Sequence, residues 1–344
     1  MRLLEVSDLS VAFPTSDGVV RAVRGVSFGI DTGRTLGIVG ESGSGKSVAA
    51  MTLLGLSRGA QVHGRAMFGG ADLLSMNEPE LRAVRGARIA MVFQDPLSSL
   101  HPLYKIGWQI TEAIRAHTGT GRRAARERAV ELLGMVGIPQ PRRRIDDYPH
   151  QFSGGMRQRV MIAIALALNP DLVIADEPTT ALDTTVQAQI LDLLRRLQGE
   201  LGMALIIITH DLGVIAQTAD EVMVMYAGRV AETADRRDLF YRSHHPYTLG
   251  LLASVPSAVG AGRLQPIAGQ PPSPIRRPPG CPFGPRCTYR MARCADQEPE
   301  LLPVGADAGH RSACWLPPEA VGSTAAARAA RQLAVQHQGE GAQP

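Results

Sequence analysis

The octapeptide Gly40-Glu41-Ser42-Gly43-Ser44-Gly45-Lys46-Ser47 narrows the possible folds of this chain more than any other feature. It has the form G-x-x-x-x-G-K-[ST]. It follows the apolar run Leu36-Gly37-Ile38-Val39 and precedes a helical pattern over residues 48–56. Strand, glycine-rich turn and helix in that order predict a loop whose backbone N–H groups turn inward on phosphate oxygens, with the positive end of the helix behind them. Lys46 then offers a compact charge to β- and γ-phosphates, and the Ser47 hydroxyl is placed for Mg²⁺. Lysine occurs only at 46 and 105 in a chain with 36 basic Lys and Arg residues. Its use here fits the need for an ammonium rather than a planar fork.

Other short apolar runs, 89–93, 172–175 and 205–208, are rich in branched residues and bounded by Gly, Asp or Thr. They read as strands buried on both faces. Ile190, Leu193, Leu194 and Leu197 mark one face of a helix. The fold class expected is therefore α/β: a P-loop NTPase core with a mostly parallel sheet covered by helices. Alternation around residues 3–6 and 19–28 predicts an antiparallel N-terminal flank. Residues 97–158 are Arg-rich and helix-like and lack strand runs, which predicts a helical subdomain inserted in a core domain of residues 1–240. Beyond it, Pro266, Pro271, Pro272, Pro274, Pro278 and Pro279 leave few backbone donors, so that stretch is expected to run extended. It opens a small Pro/Cys-rich extension, 241–318. Residues 319–344 read as a poorly ordered tail with a short helix near 325–335.

A composition of 44% hydrophobic and 20% charged residues excludes a wholly disordered chain, a collagen-like repeat and a small disulfide scaffold. A net charge of +4 is too small to argue for nucleic acid. The most apolar run, 203–208, falls far short of the roughly 18 residues of a spanning helix. Glu5 interrupts the N-terminus before any sustained apolar core, so no secretory signal is expected there. The expected compartment is the cytosol, where cysteines serve as metal ligands or free thiols rather than disulfides.

The run 172–175 ends in Asp176-Glu177, which places two carboxylates at the carboxyl edge of a strand, where ligands bind in open α/β folds. Asp176 is expected to hold Mg²⁺ through water, and Glu177 to polarise an attacking water. His210 ends the strand predicted over 204–209 and is placed for a γ-phosphate. Gln94 follows the strand over 89–93 and is placed for Mg²⁺ or the lytic water.

Phe152-Ser153-Gly154-Gly155-Met156-Arg157-Gln158-Arg159 resembles the signature of ABC-type ATPases. The order of motifs also resembles that family: Gln94, then Ser153 to Met156, Asp176-Glu177, Ala181-Leu182-Asp183, and His210. The resemblance implies that the chain binds and hydrolyses ATP with Mg²⁺. It implies that Phe13 stacks on adenine and that Asp183 serves the nucleotide. It also implies that Ser153, Gly154 and Gly155 act in trans on ATP held by a second ABC ATPase subunit, a paralogue or the same chain, in a nucleotide sandwich. Phe152 and Met156 depart from the commoner Leu and Gln, while Ser153-Gly154-Gly155 are intact.

The form of this signature is closer to the ATP-binding subunits of bacterial dipeptide and oligopeptide importers, a group that includes nickel importers. His245-Pro246-Tyr247-Thr248, followed by prolines and a cysteine-bearing tail, resembles their C-terminal extension. The likeness spans roughly residues 1–318. Asp95 to Pro102 resembles the same group, with His101 in place of the expected Asn, and is implied to meet a coupling helix of the membrane subunits. The partners implied are two integral-membrane permease subunits and an extracytoplasmic solute-binding protein, with no nucleic acid. The implied location is peripheral, on the cytoplasmic face of the inner membrane. An ATPase acting on nucleic acid would carry two motif sets or a long coiled coil, and neither is present. The signature and His210 argue against a P-loop kinase or GTPase.

Cys281, Cys287, Cys294 and Cys314 give the spacing C-x5-C-x6-C-x19-C, and Pro282, Gly284 and Pro285 bend the first loop. Four thiolates suit zinc or an iron–sulfur cluster. The lack of paired C-x2-C units favours the cluster, and the resemblance implies [4Fe–4S], with Zn²⁺ as the alternative. Its expected role is structural or redox-sensing, apart from hydrolysis.

Overall fold

The computed structural model describes residues 1–180, 182–254 and 267–322. Its strands are β1 (Arg2–Thr15), β2 (Gly18–Asp31), β3 (Thr35–Val39), β4 (Gln61–Phe68), β5 (Ala71–Asp72), β6 (Ile89–Val92), β7 (Leu172–Asp176), β8 (Ala204–Thr209), β9 (Glu221–Tyr226), β10 (Arg229–Asp235), β11 (Leu302–Val304) and β12 (Asp307–Ser312). The chain divides into two compact units. One comprises Met1–Leu4, Gly29–Thr35 and Met67–Ile208. The other comprises Glu5–Phe28, Leu36–Ala66 and the chain from Thr209 onward.

In the first unit the strands lie in the order β8-β7-β6 and all run parallel. Ile174 stands opposite Met91 on one side and Ile206 on the other. Every residue of β7 and β8 is buried, which is why both read as unbroken apolar runs. The helix Thr184–Leu201 buries Ile190, Leu193, Leu194 and Leu197, the face its spacing predicts. It stops at Gly202, whose φ of 65° suits a residue without a Cβ. Residues 97–158 contain no strand. Helices Ile106–Arg115 and Arg122–Met135 run through them, and Arg115, Arg126 and Arg128 pair with carboxylates at the surface, Arg126 with Asp146 at 2.7 Å.

In the second unit the order is β11-β12-β10-β9-β3. β3 and β9 are parallel, whereas β9, β10, β12 and β11 are successively antiparallel. β1 and β2 are neighbours joined by two residues only. Such a link is open only to antiparallel strands, so the expected flank is present. The residues after Gly269 run without helix or strand through the prolines, as a chain poor in donors must. Past them, β11 and β12 were not foreseen from the sequence. β12 has little apolar alternation, and its pairing is supplied by the edge of β10, with Glu232 opposite Ser312. Pro266 and the helix expected near 325–335 lie outside the described residues.

Candidate functional site

β3 delivers the chain into the glycine-rich loop, and Gly45 (φ 99°) caps the helix Lys46–Leu53. A Cβ at Gly45 would collide with the Ala22 carbonyl, so the loop can close on the neighbouring strand only with glycine there. Lys46 is 5% exposed. Its Nζ donates to the carbonyls of Gly40 (2.6 Å) and Glu41 (3.0 Å) and to Ser44 Oγ (3.4 Å). The loop thus seats its own ammonium. Glu41 is held from two sides. Its N–H donates to Tyr247 Oη at 2.8 Å, and its carboxylate accepts two bonds from Arg286, at 2.6 and 2.9 Å. Burial pushes the Tyr247 phenol well above its usual value, which keeps the hydroxyl neutral. Phe13 is half-buried on β1, and His210 is exposed one residue beyond β8.

At the end of β7, Asp176 is buried and Glu177 takes a left-handed conformation (φ 46°), uncommon for a residue with a side chain. The Glu177 N–H donates to Ile208 O at 2.8 Å. Its Oε2 accepts from Gln94 Nε2 (2.9 Å) and from Thr180 Oγ1 (2.8 Å). Gln94 and Glu177, 83 positions apart, were both singled out from the sequence and are brought into direct contact. Thr180 was missed, since a threonine after a Pro-Thr pair carries no local signal.

Ser153 caps the helix Gly154–Ala165, its Oγ accepting from Met156 N at 3.3 Å. Asp183 caps Thr184–Leu201, accepting from Val186 N at 2.9 Å. The two caps are neighbours: a Cβ on Gly155 would lie 2.5 Å from Val186 Cγ1, and one on Gly154 3.6 Å from Leu182 Cδ2. The two glycines therefore allow the close approach of these helix starts. Ala181 lies outside the described residues.

Just after residues 95–102, Leu103 (77% exposed), Tyr104 and Trp108 stand in solvent. Tyr104 stacks on Trp108 with ring centroids 4.1 Å apart. Gln109 fixes this loop by accepting from His101 N and donating to the carbonyls of His101 and Tyr104, all at 2.9–3.0 Å. Ile106, Ile110 and Ile114 bury the opposite face of that helix. Large apolar side chains are thus gathered in solvent beside residues 95–102. The sequence signal is short: Leu103 and Tyr104 are large apolar residues in the turn before the helix, and Trp108 lies off the Ile106, Ile110 and Ile114 face of the helix itself.

In the extension, Cys281, Cys287, Cys294 and Cys314 are free and line one pocket with Phe283, Met291 and Trp315. Burial, reinforced by neighbouring thiols, pushes Cys287 up to about 11 and Cys314 up to about 12. Among the described residues no group of three or more His, Cys, Asp or Glu is arranged to hold a metal ion. The cysteines converge as expected, but neither the iron–sulfur nor the zinc expectation is carried by a ready ligand group. The motif at 245–248 also finds its place. His245 caps the helix Pro246–Ala253, and the His244 and His245 N–H groups both donate to the buried Glu232 carboxylate, which His310 Nε2 meets at 2.7 Å.

A phosphate-type loop, an acidic strand end carrying Gln94 on Glu177, and a Ser-Gly-Gly helix start define an ATP-binding cassette. The sequence matches the family described as ABC transporter over residues 23–180 and the oligopeptide/dipeptide transporter C-terminal region over 231–294. It is 50% identical over 334 residues to the oligopeptide transport ATP-binding protein OppD of Bacillus subtilis (strain 168), covering 93% of both chains. It is 49% identical over 319 residues to the dipeptide transport ATP-binding protein DppD of the same strain, covering 92% of this chain and 95% of that one. The dimeric ATP-binding cassette MJ0796 bound to ADP and Pi superposes with a TM-score of 0.62 at 28% identity, over 68% of this chain and 99% of that one. The chain belongs to the ATP-binding subunits of ABC peptide transporters. No helix among the described residues is long and apolar enough to cross a membrane.

Proposed function

We propose that this chain is the motor subunit of a peptide importer, hydrolysing MgATP in a sandwich with a second ATPase subunit to drive uptake through two membrane permeases. The observation that carries this reading is the Glu177 carboxylate held by Gln94 and Thr180 immediately beyond the buried Asp176. A carboxylate so oriented is equipped to take a proton from water as it attacks a γ-phosphate. In this reading the loop 40–47 cradles the phosphates, with Gly40, Ser42, Gly43, Ser44 and Gly45 shaping it and Lys46 supplying charge. Ser47, Asp176 and Gln94 serve Mg²⁺, Phe13 serves adenine, Asp183 supports the nucleotide, and His210 contacts the γ-phosphate. Ser153, Gly154 and Gly155 serve the ATP of the opposite subunit. The helix start at Gly154 suits that task, because the N–H groups and dipole of a helix N-terminus favour an anion. The location that follows is peripheral, at the cytoplasmic face of the membrane, with an extracytoplasmic solute-binding protein delivering peptide. Nickel remains the alternative cargo.

The exposed Leu103, Tyr104 and Trp108 supply the surface for a permease coupling helix. Affinity capture of the full chain is expected to retain two integral-membrane proteins, and Trp108→Ala together with Tyr104→Ala to release them while the chain stays folded. Retention of RNA or DNA instead, with ATPase activity stimulated by it, would refute the importer reading.

For the extension we propose a [4Fe–4S] cluster on Cys281, Cys287, Cys294 and Cys314. Paired C-x2-C units, the usual spacing of a mononuclear zinc site, are lacking in the sequence. A larger group suits thiols spread round one pocket and approached by backbone donors such as Leu316 N–H, 3.5 Å from Cys314 Sγ. When bound, the cluster would supply a covalent brace that responds to oxidation. Brown protein with stoichiometric iron and acid-labile sulfide after anaerobic purification is the expected result. Colourless protein containing zinc would refute it.

A further inference from the structure

We propose that Arg286, carried by the cysteine-bearing extension, is a positioning residue for the phosphate-binding loop. The inference rests on reading residues 40–47 as the MgATP loop. Glu41 is the second residue of that loop, and its carbonyl is one of the two that seat the Lys46 ammonium. Whatever fixes the Glu41 peptide therefore fixes the charge offered to the nucleotide.

Glu41 also poses an electrostatic problem, because an unpaired carboxylate beside a polyphosphate repels it. Arg286, 245 positions away, solves both at once. Its fork grips the carboxylate at 2.6 and 2.9 Å, and its side chain is only 5% exposed. The remaining donors are used as well. Nε reaches Ala268 O at 2.9 Å, and the terminal nitrogens also reach Tyr226 Oη (3.2 Å) and Ile267 O (3.4 Å). A guanidinium fixed at so many points holds its partner in one geometry, which a lysine cannot do. Arg286 closes the short turn Gly284–Arg286 and is followed directly by Cys287. The loop is thus tied to the segment that bears the cysteines.

The extension has a second anchor that does not touch the loop. Arg24 donates two 2.7 Å bonds to Glu298. This separates positioning from mere attachment.

The test is calorimetric titration of the full chain with MgATP. Arg286→Ala is expected to weaken binding about tenfold, by leaving Glu41 charged and loose. Glu41→Ala combined with Arg286→Ala is expected to bind more tightly than Arg286→Ala alone, because the repelling carboxylate is gone. Arg24→Ala is expected to stay within about twofold of the unaltered chain, because its side chain grips Glu298 rather than Glu41 and Arg229 still reaches Glu298 at 3.1 Å. Should Arg286→Ala fail to fold, Arg286→Gln, which removes the charge and keeps some hydrogen bonding, carries the same expectation. Equal loss in Arg24→Ala and Arg286→Ala, or no recovery in the double variant, overturns the proposal. If Lys46→Ala binds MgATP as well as the unaltered chain, it is the reading of the loop that fails, and the positioning role falls with it.

Discussion

At the scale of single residues, Glu177 is defined less by its own position than by what orients it. A strand end with two acids is common, but a carboxylate in a left-handed backbone conformation that accepts from Gln94 and Thr180 is aimed. Glu177→Gln keeps the shape and hydrogen bonds but loses the basic oxygen. ATP turnover is expected to fall by about 100-fold or more, the usual worth of a positioned base, while MgATP binding persists and the closed dimer accumulates. Turnover at the parental rate, read by phosphate release, would show that another group takes the proton. Gln94→Ala removes one holder of the Glu177 carboxylate and leaves the Thr180 bond in place. A loss of about tenfold, smaller than that of Glu177→Gln, is expected in the same assay.

At the scale of elements, the two helix starts at Gly154 and Thr184 interlock through Gly155 and Val186. Gly155→Ala puts a methyl 2.5 Å from Val186 Cγ1. Overpacking of that kind costs about 1–3 kcal/mol, and Val186→Ala on the same chain is expected to recover most of it in urea unfolding. If the double variant is no more stable than Gly155→Ala, the crowding lies elsewhere. Elements of this kind were largely legible beforehand. β7, β8 and the helix Thr184–Leu201 announce themselves because both-faced burial and the helical period act on adjacent residues. The loop 40–47, the carboxylates 176–177 and the signature were legible for the same reason, since each is a local string of residues adjacent in sequence. What stayed hidden depends on partners distant in sequence. Arg286 on Glu41, Glu232 against His310, and the strands of the extension are specified by tertiary pairing, and no period or spacing encodes them. The exposed Leu103 and Tyr104, in the turn before a helix, and Trp108, off that helix's buried face, are a signal that a search for catalytic residues passes over.

At the scale of the molecule, acid stability is set by the same hidden network. Glu232 is fully buried, and burial alone would raise it. Hydrogen bonds from His310 and from backbone N–H outweigh that cost and hold it below the usual carboxylate value. Burial pushes the neighbouring His245 down to about 4. Between pH 6.5 and 4 the unfolded chain therefore takes up a proton at His245 that the native chain refuses, and stability must fall as the pH drops through that window. Glu232 acts in the same direction lower down, because its stabilisation is lost as it is protonated. From pH 7 to pH 5 the His245 contribution alone amounts to about 2 kcal/mol. The two tryptophans lie one in each compact unit, Trp108 and Trp315, so Trp108→Phe leaves Trp315 as sole fluorescent reporter of the extension. In that background the urea midpoint is expected to fall between pH 7 and 5. His245→Asn offers the helix a side-chain oxygen in place of the ring Nδ1 that accepts from Tyr247 N–H, without a titrating ring, and should lose roughly 2 kcal/mol less over the same interval. An unchanged pH dependence in His245→Asn would assign the acid sensitivity to other groups and remove His245 from this account.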